Sequence, residues 1–246
     1  MESTALRKRA DILLVERNIF DSRAKAQAAI AAGLVKADGR LVIKPSESIS
    51  PDATFEAQPA HPYVSRGGLK LKAALDAFAI DATDAICLDI GASTGGFCQV
   101  LLEAGARRVY AVDVGHGQLH PSIAGDTRII NLEGVDARKI DETMIPEQID
   151  LLVSDVSFIS LKLVLPPVMR FLKTGARLVV LIKPQFEAGP GNVRKGLVKD
   201  EAVHRKVCED LQAFIAKLGF EIINLVPSPI TGGDGNREFL IGARHV

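Results

Sequence analysis

The stretch Ile86–Phe97, ICLDIGASTGGF, decides the fold. Mostly apolar residues run into Asp89, and Gly91, Gly95 and Gly96 then fall within six positions. An apolar run closed by a glycine-rich turn fits a parallel strand, covered on both faces, that feeds a helix. The pattern recurs downstream in RVYAVDVG (108–115), RIINLEGV (128–135), IDLLVSDV (149–156) and RLVVLIKP (177–184), each run ending in polar or glycine residues. After a helical stretch, EAVHRKVCEDLQAFIAKLGF (201–220), the segments EIINLVPSPI and REFLIGARH flank the turn TGGDGN and read as a hairpin, so the last strand should be antiparallel. The expected architecture is α/β: a seven-stranded, doubly wound sheet with its site at the carboxyl ends of the strands.

The turn in 86–97 departs from a dinucleotide fingerprint. A G-x-G-x-x-G turn places pyrophosphate against helix-terminal N–H groups, whereas a carboxylate at Asp89 repels phosphate and attracts a cation. S-adenosylmethionine carries an ammonium and a sulfonium and has no phosphate, so it suits the turn. Asp113 ends the second run, 24 residues after Asp89, where an acid can accept both ribose hydroxyls. Asp136, after the third run, is placed to accept an adenine amino group. The expected cofactor residues are Asp89, Gly91, Ser93, Gly95, Gly96, Phe97, Asp113 and Asp136.

Upstream lies a smaller module. In residues 5–44 nine Lys or Arg stand against four acids, although the 246-residue chain has no net charge. Such a cluster focuses a positive field toward a polyanion. Ile12, Leu13, Val15 and Ile19 form an apolar stripe. Asp21 or Ser22 caps a second helix packed through Ala24, Ala28 and Ile30 and ending at Gly33, and Asp38-Gly39 marks a two-residue hairpin. Residues 22–46, SRAKAQAAIAAGLVKADGRLVIKPS, resemble the S4 RNA-binding domain. The resemblance implies RNA contacts from Arg9, Arg23, Lys25, Lys36 and Lys44. The expected division is an α+β module over 1–58, a proline-bearing linker over 59–65, and the α/β domain over 66–246.

Asp155 closes the fourth run in SDVSF and Lys183 the fifth in LIKPQF, while Lys70 lies on the helix begun by SRGGLKL and Glu238 in NREF. Here the second module resembles the FtsJ-like ribose 2′-O-methyltransferases, a Rossmann-like class I methyltransferase fold with a catalytic Lys-Asp-Lys-Glu set. SRGGLKL, LDIGASTGGF, SDVSFISL, LIKPQFE and GGDGNREF together make the whole chain resemble the TlyA family, also called hemolysin A. That resemblance implies methylation of cytidine 2′-hydroxyls in ribosomal RNA, with Lys70, Asp155, Lys183 and Glu238 catalytic. Lys183 is the implied base, Asp155 and Glu238 fix its amine, and a second ammonium at Lys70 favours the neutral form. Arg66 and the loop residues Arg194 and Lys195 are expected on RNA phosphates, and Phe158 is weighed as either a base-stacking or a core aromatic.

The implied partners are ribosomal RNA or ribosomal subunits, with the oligomeric state open and a monomer favoured. The start of the chain shows no signal-peptide core, and no apolar run reaches the ~18–20 residues of a membrane helix, so a cytoplasmic protein is expected. Cys87, Cys98 and Cys208 follow no metal-ligand spacing, and His116 and His120 find no third ligand nearby, so no metal is expected. Two competing readings are a membrane-acting cytolysin and a non-catalytic RNA-binding assembly factor. The sequence lacks a spanning helix or a ten-residue barrel alternation for the first, and its intact Lys-Asp-Lys-Glu set disfavours the second.

Overall fold

The computed structural model describes residues 6–246, so residues 1–5 of the expected first module lie outside the described residues. Contacts divide the chain into two units, with the boundary between Pro62 and Tyr63.

The first unit runs β1 (Lys8–Arg9), α1 (Ala10–Glu16), α2 (Arg23–Ala31), β2 (Val35–Ala37), β3 (Arg40–Leu41), β4 (Ser48–Ile49) and β5 (Phe55–Ala57). β1 pairs with β4, and β3-β2-β5 form an antiparallel sheet. The β2–β3 turn has positive φ at both Asp38 (51°) and Gly39 (75°), as a two-residue hairpin turn requires. Ser22 caps α2, its hydroxyl accepting the Lys25 N–H at 3.3 Å.

The faces of the two helices differ from expectation. On α1, Ala10, Leu13 and Leu14 are buried and Ile12 and Val15 only half-buried. On α2, Ala26, Ala29 and Ile30 are buried, whereas Ala24 is exposed and Ala28 half-buried. Helices of 7 and 9 residues span about two turns, too few for the apolar spacing to fix the phase.

The second unit runs α3 (Gly67–Phe78), β6 (Ile86–Ile90), α4 (Gly96–Glu103), β7 (Arg108–Asp113), α5 (Pro121–Ala124), β8 (Ile129–Glu133), β9 (Ile149–Ser154), α6 (Leu161–Val168), β10 (Leu172–Ile182), α7 (Pro184–Glu187), α8 (Glu201–Lys217), β11 (Phe220–Pro227) and β12 (Phe239–His245). Seven strands form one sheet in the order β11-β12-β10-β9-β6-β7-β8. β12 is antiparallel to both neighbours and β6 to β10 are parallel, so the expected architecture is present.

Alternation along β6 sends Leu88 and Ile90 into the core shared with α6 and α8, and Cys87 and Asp89 toward α3 and α4. Leu71, Ala74, Leu75 and Phe78 form the buried face of α3, as the spacing predicts. Tyr63 is buried in that same core, and the Val64 N–H donates to Gln99 Oε1 at 2.7 Å. These two residues therefore belong to the second unit's packing, where the sequence placed linker. Gly242 on β12 lets α3 approach: a Cβ there would stand 2.5 Å from Phe78 Cδ2.

Candidate active site

The chain turns in opposite directions from β6, to β7 on one side and to β9 on the other. A crevice opens at the carboxyl ends where the order reverses. A cavity of about 390 Å³ lies there, with Ile90, Val112, Val135 and Val164 as apolar walls and Asp113, Asp136 and Asp155 as carboxylates. Among the described residues no Lys or Arg lines it. Three acids on the wall, two of them paired with cations behind it (Asp136 with Arg138, Asp155 with Lys183), suit a cationic nucleoside better than a phosphate, and the volume lies within the range of small-molecule sites. S-adenosylmethionine therefore fits the donor set.

Asp113 is held by backbone: the Ser93 N–H donates to Oδ2 and the Gly115 N–H to Oδ1, both at 2.8 Å. Ser93 adopts φ 48°, and the turn aims its N–H at the acid that ends β7. Gln118 Nε2 adds a longer bond to Oδ1 at 3.4 Å, and since a carboxylate offers about four acceptor directions, one on Oδ2 stays open. Asp136 caps the following 3₁₀ turn and carries Arg138 on both oxygens (2.6–3.1 Å). The Arg138 guanidinium, with its backbone N–H, holds this carboxyl down at about 2.

Four expected cofactor residues lie elsewhere. Asp89 is 0 % exposed and is absent from the cavity wall. Its Oδ2 accepts the Cys98 thiol at 3.0 Å and its Oδ1 has no partner. Burial pushes the carboxyl up to about 7 against the thiol's donation, and the charges of Asp155 and Asp113 add to the rise. Strand alternation explains this placement, because the residue before Ile90 must face the opposite side of the sheet. Gly95 (φ 87°) admits α5, since a Cβ would meet Ile123 Cδ1 at 2.3 Å, and a Cβ on Gly96 would meet Ser65 Oγ at 2.2 Å. Phe97 is a core residue at 3 % exposure. Of the turn's residues only Gly91 and Ser93 reach the cavity. A Cβ on Gly91 (φ 84°) would stand 2.8 Å from the Asp155 carbonyl oxygen.

The four residues of the Lys-Asp-Lys-Glu set resolve into two ion pairs. Lys183 Nζ lies 2.6 Å from Asp155 Oδ1 and donates to Ser157 Oγ at 2.7 Å, next to the cavity that Asp155 and Ser157 line. Lys70 Nζ donates to Glu238 Oε2 at 2.6 Å, with side chains 9 % and 2 % exposed. Glu238 therefore matches the Lys70 charge, which the sequence reading had left to act on Lys183. Gly232 packs closely beside this pair: a Cβ there would lie 2.6 Å from Glu238 Oε1 and displace that carboxylate.

With this geometry in place, comparison decides the family. Residues 63–245 match the model of the FtsJ-like methyltransferases. The chain belongs to the FtsJ-like methyltransferase family. Its methyl donor is S-adenosylmethionine. Over 243 residues it is 40 % identical to a 16S/23S rRNA (cytidine-2′-O)-methyltransferase TlyA of Mycobacterium tuberculosis, covering 98 % of this chain and 91 % of that one. It is 40 % identical over 234 residues to a hemolysin A of Brachyspira hyodysenteriae, covering 94 % and 98 %. A solved structure from Streptococcus thermophilus, named as a hemolysin, is 39 % identical with a TM-score of 0.78, covering 99 % of this chain and 90 % of that chain. Among the described residues no helix of the methyltransferase is long and apolar enough to cross a membrane, and no group of three or more His, Cys, Asp or Glu could hold a metal.

The methyltransferase also has site features that sequence reasoning passed over. Ser157 shares the Lys183 ammonium with Asp155, and nothing in a lone serine announces that. Phe158, left between two roles, is 90 % exposed at the cavity wall with φ 65°, its ring 5.0 Å from that of Phe186. Asn236, 2 % exposed, accepts the Val198 N–H at 3.0 Å and donates to the Gly196 carbonyl at 2.8 Å. It thereby ties the Arg194–Leu197 turn to the segment carrying Glu238.

The expected RNA residues are dispersed over both units. Arg194 and Lys195 are exposed on that turn, and Arg66 is exposed at the start of α3. In the first unit Arg9 and Arg23 bond to Asp11, Lys25 to Asp21 (2.7 Å) and Lys36 to Glu56 (3.5 Å), while Lys44 is exposed.

Proposed function

We propose that this methyltransferase modifies the 2′-hydroxyl of cytidine in ribosomal RNA, in the cytoplasm, with the S4-like first unit supplying RNA affinity. The observation that carries the reading is the Lys183–Asp155 pair with Ser157 at the rim of a carboxylate-lined cavity. Support for the substrate comes from the 40 % identical rRNA (cytidine-2′-O)-methyltransferase, matched along nearly the whole chain.

Bound S-adenosylmethionine would supply an electrophilic methyl group on sulfur. Asp113 would take the ribose hydroxyls, Asp136 the adenine edge, and Gly91 and Ser93 the backbone-close part of the donor. A ribose hydroxyl is a weak nucleophile and needs a base as it attacks. Lys183 is that base: Ser157 accepts one hydrogen of its nitrogen and Asp155 stands 2.6 Å away as its ion-pair partner, leaving a direction of the nitrogen for the substrate hydroxyl. Lys70 and Glu238 hold the last hairpin against α3 beside that centre. Phe158 offers an exposed face on which a base can stack.

Incubating the protein with labelled S-adenosylmethionine and intact or separated ribosomal subunits, then mapping 2′-O-methyl groups, tests the reading. Label on cytidine ribose is the expected result. Label on bases only, or on protein only, contradicts it, and liposome leakage without RNA or cofactor would favour a cytolysin instead.

A further inference from the structure

Asp11, in the first turn of α1, has 0 % exposure, although an acid there is ordinarily a solvated partner of the helix dipole. Arg9 Nε donates to Oδ1 at 2.9 Å and Arg9 Nη2 to Oδ2 at 3.0 Å. Arg23 Nη2 and Nε reach Oδ2 at 2.8 and 3.3 Å, and Gln27 Nε2 reaches it at 2.7 Å. Arg9 first, then Arg23 and Gln27, hold the carboxyl well below the ordinary carboxylate range against the effect of burial. One arginine would neutralise the acid, yet two are present, so the cluster keeps a net positive charge. Their side chains remain 45 % and 54 % exposed, and neither Nη1 meets an acceptor among the described residues.

We infer that Asp11 is a positioning residue for RNA, locking Arg9 and Arg23 into a two-guanidinium clamp whose free Nη1 edges take a backbone phosphate. This rests on the reading of the first unit as the RNA-binding unit. A free arginine loses rotamer freedom when it is fixed. Fixing both before RNA arrives removes that cost from binding. Gln27 Nε2 adds a neutral donor to the same Oδ2 and so helps hold the acid beside the arginines.

Charge and preorganisation make opposite forecasts for Asp11→Asn. Bulk electrostatics says that removing an acid tightens RNA binding. The clamp says that binding weakens, because two forks lose their anchor. Measured on the full chain with a ribosomal RNA fragment, Asp11→Asn should bind about tenfold more weakly. The slope of log affinity against log salt should also fall by about one to two phosphate contacts. The charge-conserving Arg9→Lys and Arg23→Lys variants should each weaken binding, since a lysine cannot hold a fork. S-adenosylmethionine affinity and the thermal unfolding midpoint report whether each variant is folded.

Equal or tighter binding by folded Asp11→Asn, with Arg9→Ala plus Arg23→Ala weaker, overturns the clamp and leaves the RNA reading standing. Wild-type affinity in Arg9→Ala plus Arg23→Ala removes these residues from RNA binding altogether. Should Asp11→Asn fail to fold, wild-type affinity in both lysine variants overturns the clamp, and weaker binding in both upholds it.

Discussion

Two ammonium–carboxylate pairs of nearly equal length sit at the ends of neighbouring strands of the second unit, and they differ in what else can reach them. Lys183 shares its charge between Asp155 and Ser157, both of which line the cavity; the two lysines are similarly covered, and the pairs differ through their carboxylates, 19 % exposed for Asp155 and 2 % for Glu238. Lys70 has Glu238 as its sole hydrogen-bond partner among the described residues, and the side chains of that pair are nearly sealed from solvent. On the proposed reading the pair beside the cavity exchanges a proton with the substrate, and the Lys70–Glu238 pair fixes the last hairpin to α3.

The largest expected effect falls on the accessible pair. Lys183→Ala should lower the rate of methyl transfer by ~10²- to 10⁴-fold while cofactor and RNA affinities stay near wild type. Equal rates would remove the distinction between the pairs. Breaking the sealed pair should act first on stability. Lys70→Met leaves a buried, unpaired Glu238, a change that costs on the order of 3–5 kcal/mol by chemical denaturation. Adding Glu238→Leu should restore much of that stability without restoring turnover. Full turnover in this double variant would show that the sealed pair has no part in placing the site.

Smaller effects separate the acids. Asp113→Ala should weaken S-adenosylmethionine by about 1–3 kcal/mol in calorimetry, through loss of charge-assisted hydrogen bonds. Unchanged affinity would remove Asp113 from the cofactor site. Asp89 should show itself as a slope. Its folded carboxyl stands near 7, above the ~3.9 of an unfolded chain, so the unfolded state sheds its proton first as pH rises. Stability from this group is complete below about pH 4 and declines as pH climbs toward 7. Asp89→Asn, which mimics the protonated acid, should flatten that decline and leave cofactor affinity nearly unchanged. Cofactor binding lost in a folded Asp89→Asn would return Asp89 to the contact set.

The sheet was legible because continuous apolar runs with acids or a lysine at their ends admit few other folds. The positions of Asp113, Asp155 and Lys183 at or just beyond strand ends followed from that, since a strand end fixes a side chain to within a residue. Asp89 did not follow: one step along a strand reverses the face, and a glycine-rich turn hides which step is the last. Gly95 and Gly96 looked like ligand-approach glycines, yet the groups that approach them are side chains of Ile123 and Ser65. The faces of α1 and α2 were misphased because two-turn helices carry too few apolar positions. Asp11 entered the sequence reading only as one of four acids in residues 5–44, because burial by two arginines leaves no apolar signature in the chain.

Single-turnover methyl transfer to ribosomal substrate, followed across pH for wild type and Lys183→Arg, tests the central claim most directly. A lysine base requires the wild-type rate to rise with loss of one proton, and requires the arginine variant to be slow with that limb absent, since a guanidinium keeps its proton at any working pH. Wild-type rates and an unchanged pH limb in Lys183→Arg would contradict it, making Lys183 an electrostatic clamp and moving the search for the base to Asp155.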